Sequence, residues 1–146
     1  MARELARDGT KWPVEFFKEY VSDAKRVGRP RRLVLGLLDK LEPAFREKWL
    51  PTRLDDAEFR YEAVGLVLAA GDQAFKNKDQ AAATSEFRKA FEAARDSTQV
   101  TQAAAKLKSL GESADVVQHL GLVTEWWLVG PFDAPAKTGF ATAFEP

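Results

Sequence analysis

Apolar residues recur at helical spacing over most of the chain, which predicts a mainly α-helical fold. Before residue 52 the pattern predicts three helices: one from about Pro13, a second from about residue 32, and a short third one between Pro43 and Pro51. Gly28 and Pro30 are expected to stop the first helix. The apolar stripes of the three helices are, in order, Val14, Phe17, Val21 and Ala24; Leu33, Leu37, Leu38 and Leu41; and Phe45 and Trp49.

Residues 55–120 give a clearer pattern. The run 55–58 fits a capping box in which Asp55 accepts backbone N–H groups and Glu58 reaches back, starting a helix to about Phe75. A polar break at 77–79 precedes the next helix, Asp96 and Gln99 can cap another that ends at Gly111, and a short helix is expected at 113–119. The predicted buried faces are Phe59, Ala63, Val64, Val67 and Ala70; Ala83, Phe87, Ala90, Phe91 and Ala94; and Val100, Ala103, Ala104, Leu107 and Leu110.

The pattern changes after residue 120. Residues 122–129 are dense in β-branched and aromatic side chains between Gly121 and Gly130, which predicts a strand, and residues 132–146 have no clear period. A lone strand leaves its backbone polar groups without ladder partners, so we expect its partners beyond Pro146 or on another chain. The predicted organisation is a helical domain over 1–120, then a strand and extended segment over 121–146 that begin a β module truncated in this chain.

Short helices joined by two- to five-residue breaks are typical of an α-solenoid of stacked antiparallel pairs. Residues 49–64 resemble a HEAT repeat, which implies that Asp55 or Asp56 and Arg60 hold a helix pair together. Gly71, Ala83, Phe87 and Ala90 resemble the tetratricopeptide pattern of small residues and one plugging aromatic. That match is partial, because Val67 and Ala74 stand where the family has tryptophan and tyrosine.

The last twenty or so residues carry the most specific resemblance. Residues 126–133, read WWLVGPFD, with Gly139-Phe140 and the terminal Phe144-Glu145-Pro146, look like a W-x-V-x-GPFD … GF … PPE stretch. That stretch is associated with large, multidomain and often exported bacterial proteins in which helical repeats precede a β-sandwich. The resemblance implies an architecture, and an exported or periplasmic parent, rather than an activity.

Composition excludes several classes of function. Lys plus Arg and Asp plus Glu are 22 each, so the overall charge does not favour nucleic acid or an anionic membrane as partner. The chain has no cysteine, which excludes disulfides, thiolate metal sites and a cysteine nucleophile. No apolar run is long enough for a membrane span. The sequence by itself fixes neither the compartment nor the oligomeric state.

One local cluster of charge is a candidate site for an anionic partner. It consists of Lys25, Arg26, Arg29, Arg31 and Arg32, five cations around the turn at Gly28 and Pro30. The alternative is a solvated turn between helices, with two of the cations favoured at a helix C-terminus. No aromatic is interleaved for base stacking, which disfavours nucleic acid.

The candidate interaction residues are Trp126, Trp127, Phe132 and Asp133. Adjacent tryptophans in a strand point to opposite faces, so one is expected in a core and the other can stack on a sugar ring or a partner, or be buried by the missing module. His119, the single histidine, has only Asp115 one turn away and is interpreted as structural. The acids at 55–62 are explained by helix capping, and no residue pattern predicts a catalytic, cofactor or metal site.

These observations predict a non-catalytic helical-repeat scaffold that holds a protein partner or an adjoining domain of a larger protein. The alternative is an accessory part, possibly carbohydrate-binding, of an exported hydrolytic enzyme whose catalytic residues lie outside this chain.

Overall fold

The computed structural model describes residues 13–127, and this part of the chain is mostly helical, which confirms the mainly α prediction. Seven α-helices and one 3₁₀ helix lie within it. They are α1 (Val14–Ser22), α2 (Gly28–Leu41), α3 (Ala44–Trp49), the 3₁₀ helix (Leu50–Thr52), α4 (Arg60–Lys76), α5 (Gln80–Ala93), α6 (Ser97–Ser109) and α7 (Val116–Leu120). Within these residues, none of the helices combines the length and apolar character that crossing a bilayer requires.

Helices that follow one another in sequence mostly pack against each other in pairs, and α4 also contacts α6. Gly71 on α4 faces Phe87 on α5 across a three-residue connection, so these two helices run antiparallel. Helices α4 and α6 run parallel. The start of α4 contacts the start of α6 through Tyr61 and Gln99, and further along both helices Asp72 contacts Lys106.

The apolar side chains form two clusters. The first joins α1, α2 and α3 to the residue before α4, and it contains Val21, Leu35, Leu38, Trp49, Leu50 and Phe59. The second lies between α4, α5 and α6, and it contains Val64, Val67, Leu68, Ala83, Phe87, Ala90, Phe91, Ala94, Val100, Ala103 and Leu107. Because burial of apolar surface is the main stabilising term in folding, these two clusters hold the helices in place.

Helices α4 and α5 approach each other closely at Gly71. A Cβ atom built there would lie 2.6 Å from Cε1 of Phe87, whose ring is fully buried. The absence of a side chain therefore lets α4 pack directly on the aromatic ring of α5.

The sequence prediction is wrong about the turn between α1 and α2. The first helix ends at Ser22, before Ala24, and Gly28 and Pro30 lie in the first turn of α2 instead of stopping α1. Proline is tolerated there because the first N–H groups of a helix have no intrahelical acceptor.

The predicted buried face of α2 is right for Leu38 and wrong for Leu33 and Leu41. Leu33 is 69% exposed, and the helix buries Arg31, Leu35 and Leu38. The leucine pattern misplaces this face because Arg31, which it treats as polar surface, is an interior residue.

The capping box before α4 does not form. The helix begins at Arg60, and the backbone N–H of Glu58 donates to Oδ1 of Asp56 (3.0 Å), while the Glu58 carboxylate binds Arg32. Asp56 therefore closes the turn before α4, and the N-cap of the helix is Phe59, which forms no side-chain cap bond. On α4 itself, Ala70 is exposed, contrary to the predicted stripe.

Residues 77–111 fold largely as predicted, but the side chain of Gln99 donates to the Tyr61 carbonyl instead of capping α6. All five residues of the α5 stripe are buried, and the Asp96 carboxylate accepts the N–H groups of Thr98 and Gln99. Gly111 ends the helical segment with φ +82°, a conformation that favours glycine. The short last helix starts later than predicted, with Asp115 as its N-cap.

The predicted strand is not seen in the described part of its range. Residues 122–127 have no regular secondary structure, and Leu128 and Val129 lie outside the described residues, as does the rest of the segment to Pro146.

Candidate interaction surfaces

An exposed apolar segment follows α7. Gly121 ends the helix with φ +65°, the N–H of Leu122 donates to the carbonyl of Val117, and every residue from 121 to 127 is exposed. Trp126 is 76% exposed and Trp127 is 99% exposed. Phe132 and Asp133, the other two candidate interaction residues, lie outside the described residues.

These two indoles are the largest exposed apolar groups of residues 13–127. Residues 13–127 bury neither of them, so the predicted entry of one indole into a core is not seen within this part of the chain. An exposed indole offers a flat apolar face and one N–H donor, which suits stacking on a partner surface or on a sugar ring.

The five candidate cations do not form one surface. Arg31 is 2% exposed. Its Nε donates to the carbonyl of Val21 at 2.9 Å. Its guanidinium forms a bidentate ion pair with Asp56, in which NH1 lies 3.1 Å from Oδ1. Burial alone raises the pKa of Asp56, but the hydrogen bonds from Arg31 and from the Glu58 N–H outweigh it, so this pKa lies below its usual value.

Arg32 is also occupied. Its guanidinium binds the carboxylates of Glu58 and Glu62 and the Glu58 carbonyl oxygen. The hydrogen bond to Glu62 is the main reason that the pKa of Arg32 is raised. Burial raises the pKa of Glu62, but the hydrogen bond from Arg32, a backbone hydrogen bond and the charges of Arg32 and Arg46 together lower it below its usual value. A Cβ at Gly28 would overlap the Glu58 carboxylate, so this acid lies at the N-terminal end of α2, where the helix dipole favours it.

The remaining three cations, like Arg32, lie on the surface. Arg26 pairs with Asp23 (3.0 Å) and lies over the ring of Tyr20. Lys25 and Arg29 are exposed, and neither has an ion-pair partner among residues 13–127. The candidate anion surface therefore contains four exposed cations rather than five, and of these only Lys25 and Arg29 have no ion-pair partner among residues 13–127.

His119 has a packing role. Its ring lies 4.5 Å from that of Phe91, and Nε2 is 2.9 Å from the carbonyl oxygen of Ala94. Asp115 caps the N–H of Gln118 and does not orient the imidazole. These contacts dock α7 against the end of α5. Within residues 13–127 no group of acidic and histidine side chains is arranged to hold a metal ion.

The residues that resemble a HEAT repeat make different contacts from those expected. Arg60 donates to the backbone carbonyls of Leu54 (2.9 Å) and Asp55 (3.2 Å), and the carboxylate of Asp56 is taken by Arg31. Arg60 thus closes its own turn instead of forming an ion pair with the preceding aspartates.

The structure adds a surface that the sequence does not reveal, which we name the α6 groove. Two adjoining clefts share Thr101 and Ala105, and the more apolar one, between α6 and α7, has a volume of about 520 Å³. The residues that line this groove include Ser97, Thr101, Ala104, Ala105, Lys108, Glu112 and Val116. Thr101 and Ala105 read in the sequence as solvent-facing positions, and only the placement of α7 turns them into one wall of a groove.

Comparison with protein-family models, with curated proteins and with solved structures gives no significant match.

Proposed function

We propose that this chain is a helical-repeat scaffold that holds a protein partner or an adjoining domain, with α4–α5 and α6–α7 as consecutive repeat units. Stacked helix pairs bury a continuous core and present a rigid surface, so the mechanism is geometric. Surface chemistry then selects the partner.

The observation that carries the proposal is a recurrence in the burial pattern. Each buried residue of α6 (Gln99, Val100, Ala103 and Leu107) lies 36 residues after a buried residue of α4 (Ala63, Val64, Val67 and Gly71). The two helices run parallel, and α5, which lies between them in sequence, packs against both. This is the arrangement that two successive units of an α-solenoid adopt.

The tetratricopeptide-like character of α4–α5 is part of the proposal. Gly71 packs against the ring of Phe87, which supports the roles that the resemblance implies for a small residue and a plugging aromatic. The spacing of 36 residues between α4 and α6 differs from the 34 of that family. The HEAT-like reading has less support, because Arg60 does not pair with Asp55 or Asp56.

We assign the partner contact to the exposed segment after α7. Tryptophan is enriched at the hot spots of protein interfaces, and fixing its side chain costs little conformational entropy. Trp126 and Trp127 therefore suit a contact with a partner. Their exposure means that residues 13–127 do not need them for folding, so they are available to a partner or to a following β module.

A second candidate, a carbohydrate-binding accessory module, is favoured by the same exposure. A flat, solvent-exposed indole such as that of Trp127 can stack on a pyranose ring. The two candidates differ in the ligand, not in the residues.

The test is an affinity capture with the full chain as bait, from a lysate of the source organism and, separately, on insoluble polysaccharides. If the scaffold proposal holds, the wild-type chain captures a protein. The double variant Trp126→Ala/Trp127→Ala should capture at least tenfold less of it. Binding of the wild-type chain to polysaccharide, with a similar loss in the double tryptophan variant, supports the carbohydrate-binding candidate.

The matched control is Phe75→Ala, which removes an exposed aromatic from α4 and should leave capture unchanged. Equal capture by wild type and the double tryptophan variant, or no capture at all, contradicts the assignment of the partner contact to this segment.

A further inference from the structure

The α6 groove lies where the next helix of the stack would pack, and its position follows from how α4 holds α6. Three contacts define that interface. Nε2 of Gln99 donates to the Tyr61 carbonyl at 2.8 Å, a Cβ at Gly65 would lie 3.9 Å from the same Nε2, and Nζ of Lys106 is 2.5 Å from Oδ1 of Asp72.

The residues of α4 that hold α6 have counterparts in the groove. With the 36-residue spacing of the buried positions, Tyr61, Gly65 and Asp72 correspond to Ser97, Thr101 and Lys108. All three counterparts line the groove. The groove is therefore the continuation on α6 of the surface by which α4 binds a parallel helix.

Charge distinguishes the helix that fits this groove from α6 itself. On α4 the charged position is the carboxylate of Asp72, and it binds the ammonium of Lys106. Its counterpart in the groove is Lys108, which is exposed and has no ion-pair partner among residues 13–127. Glu112 lines the same cleft, but its carboxylate is paired with Arg88 at 2.6 Å. The incoming helix should therefore carry a carboxylate where α6 carries Lys106.

Side-chain size adds a second constraint. The wall of the groove on α6 consists mainly of Thr101, Ala104 and Ala105, and Val116 supplies an apolar side chain from α7. Small wall residues allow the backbone of a docked helix to approach closely, as Gly71 does for the Phe87 ring between α4 and α5.

We propose that the α6 groove binds an amphipathic α-helix supplied by another polypeptide, oriented parallel to α6, with an apolar face on Ala104 and Ala105 and an acidic residue against Lys108. This inference rests on the proposed scaffold function and adds to it a second contact surface, distinct from Trp126 and Trp127.

The probe is a stapled helical peptide that copies residues 95–111 with Lys106→Glu. Added to the ¹⁵N-labelled full chain, it should bind saturably and shift the amide signals of Ser97, Thr101, Ala105 and Lys108. The same peptide with the native Lys106 should bind roughly three- to tenfold more weakly, because it sets two ammonium groups against each other.

Two matched variants locate the site. Ala105→Arg fills the groove and should abolish the shifts, while Ala81→Arg makes the same exchange at an exposed position of α5 and should leave them unchanged. Both positions are exposed, so both variants should keep the wild-type melting temperature, which the same samples verify.

Shifts that are absent, that lie outside the groove or that survive Ala105→Arg overturn the inference. If the groove signals shift with protein concentration in the absence of peptide, a second copy of the chain occupies the groove. That result overturns the inference too. None of these results affects capture through Trp126 and Trp127. The inference and the proposed function therefore fail separately.

Discussion

Arg31 at the start of α2 and Asp56 in the turn before α4 form a buried ion pair, although they are 25 residues apart in sequence. The Arg31 guanidinium also binds the carbonyl of Val21 at the end of α1, and Asp56 also accepts the N–H of Glu58. One side-chain pair thus joins three segments of the first apolar cluster, and its polar atoms are satisfied.

Arg31→Met should lower the free energy of unfolding by roughly 3–5 kcal/mol, because it leaves the Asp56 carboxylate buried without its cation. Arg31→Met/Asp56→Leu should recover a large part of this loss, since no unpaired charge then remains. Urea denaturation followed by circular dichroism measures both effects.

The control for the ion pair is Glu15→Gln, which breaks the exposed pair between Lys18 and Glu15. Exposed pairs contribute about 0–1 kcal/mol, so little change is expected. A loss below about 1 kcal/mol for Arg31→Met would show that the buried pair is not a determinant of the fold.

Acid should destabilise the protein through Asp56 and Glu62. Both carboxyls have a pKa that is lowered in the folded state, so the unfolded chain binds more protons as the pH falls below their unfolded values of about 3.9 and 4.3. Their contribution is complete above these values and is lost as the pH falls through the folded pKa values.

The urea midpoint is therefore expected to be flat with respect to these two groups from pH 7 to about 5, and to fall below about pH 4. In Arg31→Met/Asp56→Leu the fall below pH 4 should be smaller, because Asp56 no longer titrates. An identical acid profile in the variant and in wild type contradicts the role of Asp56.

Local patterns predicted the second half of the described chain better than the first half. The α5 stripe and the Asp96 cap depend on residues within one or two turns of each other, so periodicity and capping rules suffice. Arg31 is different, because its burial depends on an acid 25 residues away, and composition alone makes it a surface cation. Pairing between distant segments also explains why Glu58 binds Arg32 instead of closing a capping box.

The candidate sites divide in the same way. Trp126 and Trp127 are both exposed, and their role as interaction residues stays a prediction. The five-cation cluster is split, because two of its members have carboxylate partners on another segment. The α6 groove had no sequence signal of its own, because it exists only where α7 is placed beside α6.

Gly71→Ala should destabilise the protein by roughly 1–3 kcal/mol through overpacking, because the new methyl group would meet the buried ring of Phe87. Gly36→Ala is the matched control in α2, since nothing lies within 4 Å of a Cβ there. It should stabilise by up to about 1 kcal/mol through helix propensity. Thermal and urea unfolding compare the two variants.

If Gly71→Ala is as stable as Gly36→Ala, then α4 and α5 are further apart than described and the tetratricopeptide-like packing loses its support. Phe87→Leu in the Gly71→Ala background should relieve part of the strain. The double-mutant cycle then gives the coupling between the two positions directly.

Asp96→Ala should cost about 1 kcal/mol, because the carboxylate caps two backbone N–H groups at the start of α6. Asp55→Ala is the control, since the side chain that the sequence selects as a cap makes no hydrogen bond with residues 13–127. A change within about 0.5 kcal/mol is expected. Asp96→Ser, which keeps a capping oxygen, should restore most of the loss. Urea titration of these three variants tests the placement of both helix starts. If Asp55→Ala is the more destabilising variant, the capping box forms and α4 begins earlier than Arg60.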